Sequence, residues 1–362
     1  MSGLRVAFDM TFPNRNRAGT GEYARELLEA LRARDDLVLL PVAGPDRGGL
    51  AGTAAWLLNG ALRDAGRARA DVLHCPAQVA PARSRAPLVV TVHDDGVARF
   101  PGGHPLEWRL FTRHVLPSLA RRADMVITPS EFVRGELVAR WRLDPGRVVA
   151  VPHGVAAAFV QAGAAPPLPR SGRPRLLFAG APIERKNLGL VLAAMAGADA
   201  GSALGEAELL ISGASARSFP RHEAEVARLG LGSRVRWLGV VPRRDVPALY
   251  RQVDVLVYPS LHEGFGLPPL EAMAAGTPVV ASRAASLPEI LGGAVPLVDP
   301  HDATALGDAV EALLRDPAAC TAAVAAGRAR AAGYTWERCA AATAAVYRAA
   351  AGRPGVAETV PR

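Results

Sequence analysis

Short apolar runs alternate along this chain with longer segments in which apolar residues recur every three or four positions. That alternation is the pattern of parallel strands covered on both faces by helices. In the first half, strands are expected at residues 4–10, 37–42, 71–75, 88–93, 125–129 and 148–152. Helices are clearest over 22–34, 106–122 and 131–141, the last opened by Ser130 as N-cap with Glu131 beside the positive end of the helix dipole. A Pro-, Gly- and Ala-rich stretch, 162–174, breaks the periodicity and reads as a linker. A second series follows, with strands expected at 175–179, 208–212, 235–238, 253–258, 278–281 and 295–298 and a last helix near 336–349. The expected architecture is α/β, two Rossmann-like parallel-sheet domains facing across a cleft. Residues 1–165 form the first, 166–335 the second, and 336–362 a helix returning to the first, then a tail. In open parallel sheets ligands bind outside the carboxyl ends of the strands, so residues at those ends carry the candidate chemistry.

Length and composition agree with this picture. At 362 residues, half of them hydrophobic and without a sustained polar tract, the chain suits two folded domains and excludes disorder. Its formal charge of +8 is spread along the sequence without a block of five or six like charges. That leaves no nucleic-acid stripe, and an acidic substrate or lipid face fits the charge as well. Cys75, Cys320 and Cys339 are odd in number and far apart, so neither a metal clasp nor a disulfide framework is expected. The start lacks a signal-peptide pattern and no apolar run approaches the ~20 residues that cross a bilayer. A cytoplasmic protein is expected, with at most peripheral contact to the inner face of the membrane.

The most informative segment runs from Val257 to Val280. A strand should end near Ser260, a loop carries Glu263, Gly264, Phe265, Gly266 and Leu267, Pro268 or Pro269 lies in the first turn of a helix, and Gly276 stops it. Glycines let backbone N–H groups approach a ligand, and those groups with the helix dipole suit a diphosphate. Glu263 would be repelled by phosphates and is expected on sugar hydroxyls, with Glu271 a turn into the helix on a ribose. An isolated pair of glutamates would read as solvated carboxylates; the strand–loop–helix frame and its glycines reverse that reading.

Other strand ends add candidates. Phe178-Ala179-Gly180 leads into Glu184-Arg185-Lys186-Asn187, which would aim two cations at a diphosphate; the bland alternative is a solvated turn. Lys186 is the one lysine among 42 basic residues, as if a compact ammonium fits there better than a planar fork. Val90-Thr91-Val92-His93-Asp94-Asp95 ends a buried-looking strand in histidine and acids, where a structural histidine is the competing reading. Gly19-Thr20-Gly21 follows the first strand as a Gly-rich loop, but Ala24 replaces the third glycine of a dinucleotide fingerprint, which disfavours a nicotinamide enzyme. Leu238-Gly239-Val240-Val241-Pro242 ends another strand and is either a turn or part of a nucleotide pocket.

The frame Glu263-Gly264-Phe265-Gly266-Leu267-Pro268-x-Leu270-Glu271-Ala272-Met273-Ala274-x-Gly276-x-Pro278-Val279-Val280 resembles the donor-site signature of family 4 retaining glycosyltransferases of GT-B fold, the glycosyl transferases group 1. The resemblance implies an acceptor-binding first domain and a second domain that binds a nucleotide-diphosphate sugar. It implies no further cofactor, no divalent metal in donor binding, and retention of anomeric configuration. It places Glu263 at the donor sugar, Glu271 at the ribose, Arg185 and Lys186 at the pyrophosphate, and Val240 at the base-binding edge. His93 would touch the sugar from the acceptor domain, although Asp95 stands where the family has an apolar residue. Gly19 and Gly21 would form a loop closing over the donor phosphates. The donor is expected to be of GDP-mannose or UDP-glucose type, and the acceptor a glycan, a lipid-linked saccharide or a natural product. A nucleotide-sugar epimerase and a non-catalytic sugar-nucleotide-binding subunit are the alternatives.

Overall fold

A computed structural model of the chain describes residues 3–15, 19–43, 69–81, 84–102, 104–161, 172–213 and 219–352. The contacts divide it into two units, one running up to Gly154 and resuming at Tyr334, the other Val155–Gly333. The expected domain boundary at residue 165 and most of the expected linker lie outside the described residues.

The first unit is built on six parallel strands, β1 (Leu4–Asp9), β2 (Leu37–Val42), β3 (Val72–Cys75), β4 (Leu88–Thr91), β5 (Met125–Thr128) and β6 (Val148–Ala150), in the order β2-β1-β3-β4-β5-β6. Strands β3 and β4 are buried along their whole length, the mark of a sheet covered on both faces. The helix Glu131–Trp141 shows how the sequence makes such a cover. Ser130 accepts from the Val133 amide, a cap worth about 1 kcal/mol, and Val133, Leu137 and Trp141 recur four residues apart as its buried stripe. The expected helix over 106–122 is three pieces: an α-helical Leu106–Leu110, a π-helical turn Phe111–Val115 and an α-helical Leu116–Arg122.

The last helix, Trp336–Ala350, belongs to this unit and packs on the helix Gly19–Arg32 and on β4 and β5. Its Tyr347 hydroxyl bonds His74 Nδ1 at 2.7 Å, while His74 Nε2 meets Thr91 Oγ1 at 2.8 Å. Gly154 marks where the chain leaves and re-enters: a Cβ there would stand 2.2 Å from the Trp336 amide nitrogen, so only glycine fits.

The second unit repeats the architecture with β7 (Arg175–Ala179), β8 (Glu208–Ser212), β9 (Val235–Gly239), β10 (Val255–Tyr258), β11 (Val279–Ser282) and β12 (Leu297–Val298), parallel in the order β12-β11-β10-β7-β8-β9. Its core joins Leu176, Phe178, Leu209, Ile211, Val255 and Val257 of the strands to Val191, Leu192, Leu306 and Val310 of the helices Leu188–Gly197 and Ala303–Arg315. Strand order reverses between β7 and β10, which pair through Leu176 with Val255 and Leu177 with Leu256. A reversal of this kind opens a crevice at the carboxyl ends, because the following loops diverge to opposite faces.

Candidate active site

Three of the expected site residues meet at that reversal in the second unit. After β7 the chain makes a tight turn, Glu184–Lys186, and Asn187 follows in the left-handed region at φ 59°. Its side-chain amide donates to the Pro259 carbonyl at 3.2 Å and the Pro300 carbonyl at 2.7 Å, and the Leu261 amide donates to the Arg185 carbonyl at 2.8 Å. The turn is thereby stitched to the loop that leaves β10. Lys186 Nζ lies 2.7 Å from one carboxylate oxygen of Glu263 and Arg185 Nη1 2.9 Å from the other. Lys186 also donates to the Tyr258 hydroxyl, at the end of β10. Glu263 itself is held from behind by Ser286, whose hydroxyl donates to its carbonyl at 2.9 Å.

This corrects one part of the expected arrangement. Arg185 and Lys186 do not form an unbalanced pair of cations; both embrace Glu263, and the group carries a net charge of +1. Burial alone would push the Glu263 carboxyl up, but the charges of Lys186 and Arg185 outweigh it and lower its pKa to about 2. At neutral pH it is a firmly ionised, weakly basic carboxylate.

Gly264, Phe265 and Gly266 lead from Glu263 into the helix Leu267–Ala275, with Pro in its first turn and Gly276 in the left-handed region at its end. Gly266 has φ 99°, and a Cβ there would lie 2.8 Å from Leu287 Cδ2, so both backbone and space demand glycine. Glu271, on the next turn, is buried and paired with Arg243 Nη2 at 2.6 Å, and it accepts from the Tyr250 hydroxyl at 3.4 Å. The Arg243 guanidinium lies over the Phe159 ring, 4.6 Å from its centroid. The sequence reading did not find Arg243. It follows Pro242 after β9, in a chain full of arginines, with no local sign of a partner 28 residues on.

Three adjacent strands of this unit end in glycine with positive φ: Gly180 after β7 at 110°, Gly213 after β8 at 95° and Gly239 closing β9 at 69°. A Cβ on Gly213 would stand 2.9 Å from the Gly180 carbonyl carbon, so the two backbones touch. These three positions themselves add no side chain to the rim, although the Lys186 side chain lies beside Gly180, its Cε 3.7 Å from where a Cβ would stand. Val240, next to Gly239, is 82% exposed.

In the first unit the expected residues sit differently. Gly19 and Gly21 are not a loop: they lie in the first turn of the helix Gly19–Arg32, with Gly21 buried. His93 is buried just past β4, its Nε2 donates to the Pro76 carbonyl at 2.9 Å, and the Tyr23 ring meets it edge-on at 4.8 Å. Burial lowers its pKa, countered by the Pro76 bond and by Asp94, so a neutral imidazole is favoured. Asp95, the departure from the family pattern, is a buried anchor bonded to Arg99 Nε at 3.0 Å and to Arg140. Cys75 and Cys339 are buried free thiols and Cys320 is a half-buried one.

Two six-stranded parallel α/β units place the chain in the GT-B fold class, and solved structures share the fold. Sucrose-phosphate synthase from Thermosynechococcus elongatus matches with a TM-score of 0.77 at 22% identity, over 96% of this chain and 98% of that one. Anabaena HepE in complex with UDP and glucose matches at 0.73 and 18%, over 94% and 98%. Residues 17–159 match Glycosyltransferase Family 4 and residues 164–330 match Glycosyl transferases group 1. O-antigen chain mannosyltransferase B of Escherichia coli is 31% identical over 266 residues, 72% of this chain and 70% of the relative. The MMP alpha-(1->4)-mannosyltransferase of Mycolicibacterium hassiacum is 32% identical over 65% of this chain and 56% of its own. The chain belongs to the group 1 glycosyltransferases of family 4 and is an enzyme of hexosyltransferase type. Among the described residues no helix is long and apolar enough to cross a membrane.

Proposed function

We propose that this enzyme moves a hexose from a nucleotide-diphosphate sugar to an acceptor with retention of anomeric configuration. The observation that carries the reading is the Glu263 carboxylate held between Arg185 and Lys186 at the strand reversal, beside the amino end of the helix Leu267–Ala275. The diphosphate takes the amides of Gly264 to Leu267 and shares the two cations with Glu263, as the backbone of Gly180 permits close approach. Those cations supply the positive charge at the leaving group, so donor binding needs no divalent metal. Glu271 receives the ribose hydroxyls, Val240 borders the base, and Glu263 binds the sugar.

In the chemical step the bond from the anomeric carbon to the phosphate oxygen breaks, its electron pair leaving with the nucleoside diphosphate. The acceptor oxygen bonds the same carbon on the same face and gives its proton to that phosphate oxygen. Arg185 and Lys186 stabilise the charge that gathers there, each charge-assisted contact contributing roughly 1.5 to 3 kcal/mol. Both carboxylate oxygens of Glu263 are engaged by cations, Lys186 at 2.7 Å and Arg185 at 2.9 Å, which weighs against a covalent intermediate on Glu263. The mannosyltransferase names of the sequence relatives favour mannose as the transferred sugar over glucose.

The test combines calorimetry with GDP and UDP and a transfer assay with GDP-mannose and UDP-glucose. Binding of a nucleoside diphosphate that drops about ten-fold or more in Lys186→Ala, with a product of unchanged anomeric configuration by NMR, is expected. No heat with either nucleotide, or a glycosyl adduct on Glu263 in mass spectra, overturns the site or the mechanism respectively.

A further inference from the structure

A second charged site lies on the first unit, among residues that were given no part in donor binding. The π-helical turn Phe111–Val115 and the end of the helix Glu131–Trp141 enclose a cavity of about 320 Å³. Thr112, Arg113, His114, Arg121, Arg140 and Trp141 line it, and no carboxylate does. Thr112 is turned inward, its hydroxyl donating to the Trp108 carbonyl at 3.0 Å and the Arg109 carbonyl at 3.2 Å. The next residues, Arg113 and His114, are exposed. A π-helical turn inside an α-helical run departs from regular hydrogen bonding and is frequent at functional sites.

Charge accounting around the cavity leaves an excess. Arg140 and Arg99 share the buried carboxylate of Asp95, and Arg99 also reaches Glu136. Arg121 bonds only a neutral group, the Trp141 carbonyl at 3.3 Å, and Arg113 and His114 make no hydrogen bond or ion pair with the described residues. Three guanidiniums line the cavity, of which only Arg140 is paired with a carboxylate, the Asp95 that it shares with Arg99. Guanidinium forks fit the oxygens of a phosphate bidentately, and a concave site of this size suits one phosphate ester better than a polymer. The exposed side chains of Leu110 and Val115 lie on the same run of helix, so a lipid phosphate could be met as readily as a soluble one.

We propose that the cavity formed by Arg113, His114, Arg121 and Arg140 is a binding site for a phosphate ester, separate from the residues assigned to the donor. The test uses the full chain, with inorganic phosphate and glycerol 3-phosphate as calorimetric probes at low salt. Vesicles of phosphatidylcholine with and without phosphatidylglycerol, read by co-sedimentation, form the lipid arm. Arg113→Gln and Arg121→Gln should each weaken binding about five-fold while leaving thermal unfolding unchanged, and Lys186→Ala should leave binding as it is. Binding of the soluble esters alone identifies a soluble phosphate as the source. Binding confined to the anionic vesicles identifies a lipid headgroup. The proposal falls if no probe binds, if both arginine variants bind every probe like the parent, or if binding is lost in Lys186→Ala instead.

Discussion

The carboxyl edges of the two sheets are built from the same strand–loop–helix units, yet they differ in the balance of charged and neutral groups that they bury. The second unit buries charge: Glu263 between Arg185 and Lys186, and Glu271 under Arg243. The first pairs one buried carboxylate, Asp95, with Arg99 and Arg140, but around β3 and β4 it buries mainly neutral polar groups: His74, Thr91, Tyr23 and Tyr347 form a hydrogen-bonded network, with His93 and His153 packed against the Tyr23 ring. Burial lowers the pKa of all three histidines, His74 to about 3. The backbone differs too. Three strands of the second unit end in positive-φ glycines, whereas among the described residues no strand of the first unit ends that way. An edge with charges and bare backbone suits an anionic ligand; an edge filled with aromatic and imidazole rings suits a neutral, shaped one.

The largest effect expected from breaking this contrast is on Glu263. Glu263→Gln keeps the volume but removes the charge that balances Arg185 and Lys186, so a nucleoside diphosphate should bind more tightly while transfer falls on the order of 10² to 10³-fold. Calorimetry beside steady-state kinetics reads both. If neither moves, the ionic edge has nothing to do with the donor.

Next comes the bare rim. Gly213→Ala and Gly180→Ala both force a side chain into positive φ, worth about 1 to 2 kcal/mol. At Gly180 the new Cβ would find Lys186 Cε at a comfortable 3.7 Å, but at Gly213 it would press on the Gly180 backbone at 2.9 Å. Gly213→Ala should therefore destabilise the protein more than Gly180→Ala, and chemical denaturation that ranks them the other way would refute the close approach. Arg243→Ala should be milder, raising the donor KM about ten-fold by releasing Glu271 to Tyr250 alone. An unchanged KM would detach Glu271 from the donor.

Much of this fold was legible in the sequence, for a physical reason. Strands covered on both faces read as continuous apolar runs, so the expected strands at 175–179 and 208–212 agree with β7 and β8 residue for residue; the edge strand β2 agrees at 37–42 too, its run being apolar although half exposed. Ser130 and Gly276 fell in place because caps obey local rules. What escaped depends on partners distant in sequence. Nothing near Arg243 points to Glu271, and nothing near Arg185 says that its charge is spent on Glu263. Gly19 and Gly21 read as loop by propensity, yet they start a helix whose buried stripe, Tyr23, Leu27, Leu28 and Leu31, outweighs two glycines at its end. The π-helical turn left no trace in the periodicity of 106–122, since one extra residue per turn over so short a stretch barely shifts the apolar phase.

The smallest effect separates the two units by pH. His74 is buried and neutral, with burial foremost and His93 adding to it, and its pKa of about 3 lies below the ordinary 6.5. Between those values the unfolded chain holds a proton that the folded chain does not, so its contribution is complete above pH 6.5 and is lost as pH falls toward 3. Glu263 is also lowered, from 4.5 to about 2, and its contribution is complete above 4.5 and lost only toward pH 2. Lowering pH from 7 to 5.5 should thus weaken the first unit by about 1 kcal/mol through His74 and leave the Glu263 cluster untouched. Hydrogen exchange resolved by segment reads the two units in one experiment: protection of β3 and β4 should fall at pH 5.5 while β7 and β10 hold theirs. His74→Gln keeps a hydrogen-bonding side chain without a titrating proton and should reduce the first response, leaving the part that His93 and His153 carry. If β7 and β10 loosen first, the division into a neutral edge and an ionic one is wrong.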